Sequence, residues 1–520
     1  MQYGRKTIYT DAREITRENI IKVLRQGMLD FLPNADDCTF LLNYEKGIQT
    51  VNREKTYRPD INNVCIDNVA NEITNFKTSF NWGNAITLIQ RGETDSGGKG
   101  ETDAISLLNE CYEAENIKKK TQELARFVEI CGIGYTYVAM NTDYEEGDSY
   151  FKIDVLDPRY AFVVRSSRYA DHRVMLGVTF RKDINGNYYF TCFTKNERFE
   201  IINLVKIVND KTKRENKVNK WEHEERSGEK NPLGIIPITE WIRNYDRMGC
   251  FERQISEMDN LNLLISDFTD DVDQNTQAIW HGNDVEFPKE LIKDEDGNTK
   301  EVEKHPKTND WMITQTTQDG KTPFVKPLAI EYDYPGMLQN IVTRRALILQ
   351  KCNVPQRNDN SGGSTGVAMD SATGWTAAET EANMQDQIKY GCKMDEVKVA
   401  LAAIRECTDT PPDSPLLTLR HCDVKAITNR NKNYELSVKS SALKNLITSG
   451  VYGLHAFEVT NIFPDTNQAW ADSKPLVEQF QKSLFSKETT EKEENPQTTD
   501  GGMEAQVSNS PLIDGMSTDG

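Results

Sequence analysis

Between Phe251 and Trp280 the chain runs without a glycine or a proline. Phe251, Ile255, Met258, Leu261, Ile265, Phe268 and Val272 recur there at steps of three and four. That spacing lays one apolar stripe along a helix and excludes a strand, whose faces alternate every second residue. Asp259, Asp267, Asp270, Asp271 and Asp273 lie off the stripe. Such a row fits a solvated acidic face, the ordinary property of an amphipathic helix. Any fold for this chain must house a long helix with an apolar side and an acidic side.

What flanks the helix is equally restrictive. Ahead of it, "YTYVAM", "FKIDVLD", "YAFVVRS", "VMLGVTF", "YYFTCFT" and "FEIINLV" are short β-type runs divided by turn residues. Asn185-Gly186 marks one hairpin, because a type I′ turn wants positive φ at both central positions. Residues 134–240 therefore predict an antiparallel meander, with Lys211–Asn231 as a polar loop. Behind the helix, residues 281–333 return to β and turn signals, with Asp296-Gly297 and Asp319-Gly320 as hairpin candidates around "WMITQTT".

Further helices are predicted over 13–32, over 59–80 with Pro59 at its first position, and over 104–131. The last ends at Gly132-Ile133-Gly134, which suits a C-cap leading into a strand. Later helices fit 334–351, 376–407 with Thr376 and Glu379 as a capping box, 440–446, and 467–486. From Ser486 the chain is polar and acidic, and disorder is expected because so little apolar surface can be buried.

At 520 residues the chain is long enough for about three packed units at ~150 residues each. Its hydrophobic share of 37% is low, which hints at elements whose partners lie on other chains. A net charge of −19 argues against a tight DNA binder, since gripping phosphates needs clustered Lys and Arg. Weak, sliding contact is still compatible with it. The N-terminus has no apolar core of a signal peptide, and no run of about 18 apolar residues is present. Ten scattered cysteines without a C-x-x-C fit reduced, buried thiols.

Catalytic motifs are weak. Gly362-Gly363-Ser364-Thr365-Gly366 fits G-x-S-x-G, but "NVPQRNDNS" before it is polar and contains proline, unlike the apolar strand that enters a nucleophile elbow. His421, His455, Asp395 and Asp409 could be drawn into a triad, which spacing alone does not establish. "SGGKGE" lacks a P-loop frame, and Gly132-Ile133-Gly134 lacks the third glycine of a dinucleotide fingerprint. The six histidines show no zinc spacing, and the Asp267–Asp273 cluster lacks the glycine and terminal glutamate of an EF-hand loop. No cofactor, no metal and no enzymatic activity are expected.

Four stretches, in order, carry a resemblance: "NNVCIDNVANEITNFKTSFNWGNAITL", "GIIPITEWIRNYDRMGCFERQISEMDNLNLLISDFTDDVDQ", "GSTGVAMD" ahead of a long helix, and "NIFPDTNQAWADS". Over about residues 10–485 the chain resembles the portal proteins of tailed bacteriophages, in the group typified by a Bacillus siphovirus portal. The resemblance implies an α+β, portal-type fold with wing, stem, clip and crown regions. It implies a wing at 1–250, stem helices at 251–280 and 334–352, and a clip at 281–333. A tunnel loop would follow at 353–371, a long wing/crown helix at 372–410, crown and C-terminal wing segments at 411–486, and a disordered acidic tail at 487–520.

It further implies a homo-oligomeric ring, usually of twelve, at one capsid vertex of the virion, assembled in the host cytoplasm. Double-stranded DNA would pass through the channel for packaging and ejection, read without sequence specificity. Terminase large subunit, head–tail adaptor, major capsid protein and scaffold protein would be partners, and no membrane. The tunnel loop would be Arg357, Asn358, Asp359, Asn360, Ser361, Gly362, Gly363, Ser364, Thr365 and Gly366, whose glycines allow close backbone approach to the duplex. Asp267, Asp270, Asp271 and Asp273 would supply part of an acidic channel lining that repels phosphates. Two other readings stand beside this one: a serine hydrolase using Ser364, and a minor capsid or adaptor protein.

Overall fold

A computed structural model describes residues 3–55, 59–90, 99–184, 187–208, 217–276, 280–283, 289–293, 299–303, 324–327, 333–356, 374–428, 436–460, 462, 469–470, 472–480 and 482. The chain divides into two units, residues 1–431 and 432–520. Helix and sheet are mixed throughout the first, an α+β arrangement.

The larger unit opens with β1 (Ile8–Thr10) and α1 (Ile20–Glu45). The helix starts later than its apolar spacing predicts, because Thr16–Asn19 forms a turn in which the Asn19 side chain accepts from the Thr16 amide. It then continues through Pro33, held by the buried residues Cys38, Leu41 and Leu42 beyond it. Next come α2 (Val69–Trp82), β2 (Thr87–Gln90), α3 (Lys99–Ala114) and α4 (Ile117–Cys131). The single helix expected over 104–131 is broken at Asn116, which adopts a left-handed φ of 53°. Gly132 ends α4 as expected, at φ 77° with its N–H on the Val128 carbonyl.

The meander is present but forms two sheets. β3 (Ile133–Met140) lies between β4 (Phe151–Leu156) and β10 (Ile238–Ile242) in a three-stranded antiparallel sheet. The other sheet has the order β1, β5 (Ala161–Ser166), β6 (Val174–Lys182), β7 (Tyr188–Phe193), β8 (Glu197–Val208), β9 (Lys217–Lys230). Only the β1–β5 pairing is parallel. Lys182 opposite Tyr188 fixes the hairpin around Asn185-Gly186, residues that themselves lie outside the described ones. The polar stretch expected to be a loop is mostly β9. As an edge strand it pairs through its backbone, and its charged side chains suit an edge.

α5 (Ile255–Thr276) follows a short 3₁₀ turn at Glu252–Gln254. Beyond it, β11 (Trp280–Asn283) pairs with β14 (Phe324–Pro327), and β12 (Lys289–Lys293) with β13 (Thr299–Glu303). Asp296-Gly297 falls between β12 and β13; Asp319-Gly320 and "WMITQTT" lie outside the described residues. α6 (Tyr334–Lys351) has its predicted bounds and an Asp333 N-cap. α7 (Trp375–Glu406) begins one residue early at Gly374, so Thr376 is already inside the helix and the expected capping box does not form. β15 (Val424–Ile427) pairs with β2 and closes the unit.

Three large apolar cores and two smaller clusters hold this unit. α1 packs its first half on the six-stranded sheet, with Phe31 stacked on Phe162 at 4.6 Å. The second half of α1, with α2, β3, β10 and the adjoining turns of α5 and α6, forms a central core. α3 and α7 enclose β4, β2 and β15 in the third. β3 is buried over most of its length because α4 and α7 lie along one face of its sheet, at Gly134, Thr136 and Val138, while Ile133 and Tyr135 on the other face join the central core.

The second unit contains α8 (Leu436–Thr448), α9 (Gly453–Thr460) and helical residues at 472–480. Trp470 fills its centre, with ring centroids 5.5 Å from Tyr452 and 5.9 Å from Phe457. Residues 487–520, where disorder was expected, lie outside the described ones.

Candidate functional site

The acidic helix is not bare. Among the described residues, 49–55 and 59–68 run alongside α5 as a strap, and 59–68 do so where a helix over 59–80 was expected. Asn262 Oδ1 accepts from the Asp67 amide (2.9 Å), Ser266 Oγ from the Cys65 amide (3.0 Å), and Asp270 Oδ1 from the Asn63 amide (2.8 Å). Each step is four residues on the helix and two on the strap. Four helical residues rise about 6 Å and two extended ones about 6.6 Å, so the two ladders stay in register. Side chains of α5 thus take the amides that a helix at 59–68 would have used, which is why none forms.

Charge reinforces the strap. Arg53 pairs with Asp267 at 2.5 Å and with Asp270 at 2.7 Å, and Lys55 reaches Asp270 at 2.8 Å. Asn63 Nδ2 donates to Asp270 and to Asp273 Oδ2 (2.6 Å). Asp270 is only 2% exposed. Burial pushes its carboxyl pKa up, but Lys55, the Asn63 amide and Arg53 outweigh this and hold it below the usual carboxylate value. Asp271 is pushed the other way, by burial and then by the neighbouring Asp267 charge. The acidic row is therefore unequal: Asp270 is an internal anchor, while Asp267, Asp271 and Asp273 keep part of their surface.

α6 returns beside α5. Tyr334 meets Phe268 edge-on and Asn275 through its hydroxyl, so the ends of the 280–333 insert lie close together. At the other end of α6, Arg345 binds Asp67 (2.8 Å) and Glu72, and Lys351 lies 3.6 Å from Glu257. Ile348 and Leu349 are buried in the central core. Further up, Leu338 and Val342, four residues apart on one face of α6, are 54% and 53% exposed.

Below the hairpin lies an ionic core. Glu129 on α4 is fully buried and takes Arg243 Nε at 2.8 Å and Trp82 Nε1 at 3.0 Å. Arg243 also binds Glu381 on α7 at 2.5 Å. Lys389 stacks over the Trp82 ring at 4.3 Å and donates to the Asn81 carbonyl. Sequence reasoning missed these residues. Their signal was nonetheless present: Lys77 and Glu129 each interrupt an otherwise apolar helical period.

Arg357–Gly366, including Ser364, lie outside the described residues. Among the described residues, no group of three His, Cys, Asp or Glu side chains is arranged to hold a metal. No described helix is long and apolar enough to cross a membrane. All ten cysteines are free, and Cys422 alone is exposed.

A family model for phage portal proteins of the SPP1 Gp6-like type matches residues 30–414. The chain belongs to that family. The matched range takes in the strap, the α5–α6 hairpin with its insert, and the ionic core, so these are parts of a phage portal protein. It stops before the second unit. No curated protein matches the sequence. A portal is a structural component of the phage capsid that works as a homo-oligomeric ring, which gives the exposed apolar face of α6 a context.

Proposed function

We propose that this portal forms a closed ring, of about twelve copies, at one vertex of the capsid, and that double-stranded DNA passes through its centre during packaging and ejection. The observation that carries this reading is the α5–α6 hairpin. It is rooted in the core at one end, bears the 281–333 insert at the other, and leaves Leu338 and Val342, on one face of α6, uncovered in the single chain. A ring supplies a neighbour for such a face on every copy.

In this reading residues 1–250 are the wing, 251–280 and 334–352 the stem, and 281–333 the clip on which terminase and later the head–tail adaptor dock. Residues 353–371 are the tunnel loop and 372–410 the long wing/crown helix. Residues 411–486 are the crown and C-terminal wing, and 487–520 the acidic tail; scaffold and major capsid proteins are partners of the ring. Assembly takes place in the host cytoplasm. The portal makes and breaks no covalent bonds; nucleotide hydrolysis belongs to the terminase. The partly exposed Asp267, Asp271 and Asp273 weakly repel phosphates and favour sliding over sticking, with Arg53 and Lys55 moderating the field.

Native mass spectrometry with negative-stain imaging tests the ring. Wild-type protein is expected as rings of about twelve with a central hole, and Val342→Asp as smaller species with unchanged far-UV circular dichroism. Wild-type protein that stays monomeric with scaffold protein added would overturn the reading.

A further inference from the structure

The chain leaves α6 through Asn353, which holds a left-handed φ of 52°, and comes back at Gly374, φ 90°, to start α7. These two roots of the 357–373 segment touch: a Cβ on Gly374 would sit 3.8 Å from the Cα of Pro355. A single charge pair reaches both. Lys77, from α2, donates to the Asn353 carbonyl at 3.3 Å and pairs with Glu381 Oε2 at 2.6 Å. The Asn353 side-chain Nδ2 donates to the same carboxylate oxygen at 3.0 Å. The other oxygen of Glu381 holds Arg243, and so ties the roots to Glu129 in the buried ionic core. Trp375 meets Phe76 and Phe80 edge-on just beside Lys77.

Apolar side chains of similar volume would join α2 to α7 at least as well, because burying ions is costly. They could not engage the carbonyl and amide of a residue in a left-handed conformation. The ionic arrangement adds direction: it specifies where Asn353 sits relative to the first turns of α7. We propose that Lys77, Asn353 and Glu381 form a clasp that fixes the two roots of the 357–373 segment to each other and to α2, so that both move as one body. Its consequence for DNA rests on the portal reading above; its existence does not. Lys77 and Glu381 are positioning residues here, acting through the roots they hold.

Hydrogen exchange on the assembled protein tests the clasp. In Lys77→Met, amides at 353, 354 and 356 and at 375–381 are expected to exchange faster together, each by at least about tenfold, while β6 and the first half of α1 are unchanged. Asn353→Gly accepts the left-handed conformation and removes only the amide contact, so it guards against a Lys77 variant that fails to fold. It is expected to loosen 375–381, on the far root. Faster exchange on one root only, or across the whole unit, would overturn the clasp. DNA packaging by the same variants separates the two ideas: coupled loosening with normal packaging leaves the clasp standing and removes the DNA-facing role of the segment.

Discussion

Glu129 shows how one side chain can set the acid limit of this molecule. Burial alone would raise its pKa, yet Arg243 and then Lys389 hold it below the ordinary value of 4.5. A carboxylate whose pKa is lower in the folded chain than in the unfolded one stabilises the fold fully above pH 4.5. That contribution is lost as the pH falls through the folded value. Glu129→Gln leaves Arg243 buried with less compensation, which should cost about 3–5 kcal/mol at neutral pH in denaturant titrations. The gap from wild type should narrow as the pH is lowered below 4.5, and a constant gap would assign the loss to shape rather than charge. Gly132 sets a different limit. At φ 77° an added Cβ would overlap the Arg247 carbonyl. Gly132→Ala should therefore cost more than the ~1–3 kcal/mol of backbone strain alone, read as a lowered thermal midpoint.

Elements were legible in the sequence where their own period decides them. α5, α6 and α7 stand within a few residues of their expected bounds because each has a long stripe and clear ends. The strap was illegible for the opposite reason. Cys65, Val69, Ile73 and Phe76 do have helical spacing, but the competing partner for the amides at 63–67 lies on α5, some two hundred residues later. The Asn262, Ser266, Asp270 ladder was present in the sequence as polar residues four apart, and an acidic-face reading absorbed Asp270 without asking what it bound. β9 was hidden likewise, since an edge strand needs only backbone from its neighbour. Replacing Arg53 and Lys55 together by alanine should free the strap. Amides at 63, 65 and 67 should lose protection while those of α4 keep theirs, measured by hydrogen exchange.

At the scale of the whole chain, the insert is separable from the body that carries it. The contact between Asn275 and Tyr334 brings its two ends together, so a short glycine–serine linker can replace residues 281–333. The shortened portal should still form rings by native mass spectrometry and should no longer bind terminase in co-sedimentation. Loss of the rings would move the assembly surface into the insert. The loop segment 357–366 was singled out by its glycines and by order of elements, and its roots, rather than its own residues, carry the described contacts.

The N-terminal strand makes its partners late. Arg5 forms a fully buried pair with Glu252 at 2.5 Å, Gly4 donates to the same carboxylate, and β1 runs parallel to β5, at 161–166. During synthesis these partners emerge only after the sheet and the turn into α5 have left the ribosome. At about 5–20 residues per second, the first residues wait for some 10–50 s before Glu252 exists. The first strand thus settles after the sheet that it joins, closing over one already built. An ion pair that needs both ends of a 247-residue loop makes that closure a check on everything folded between them.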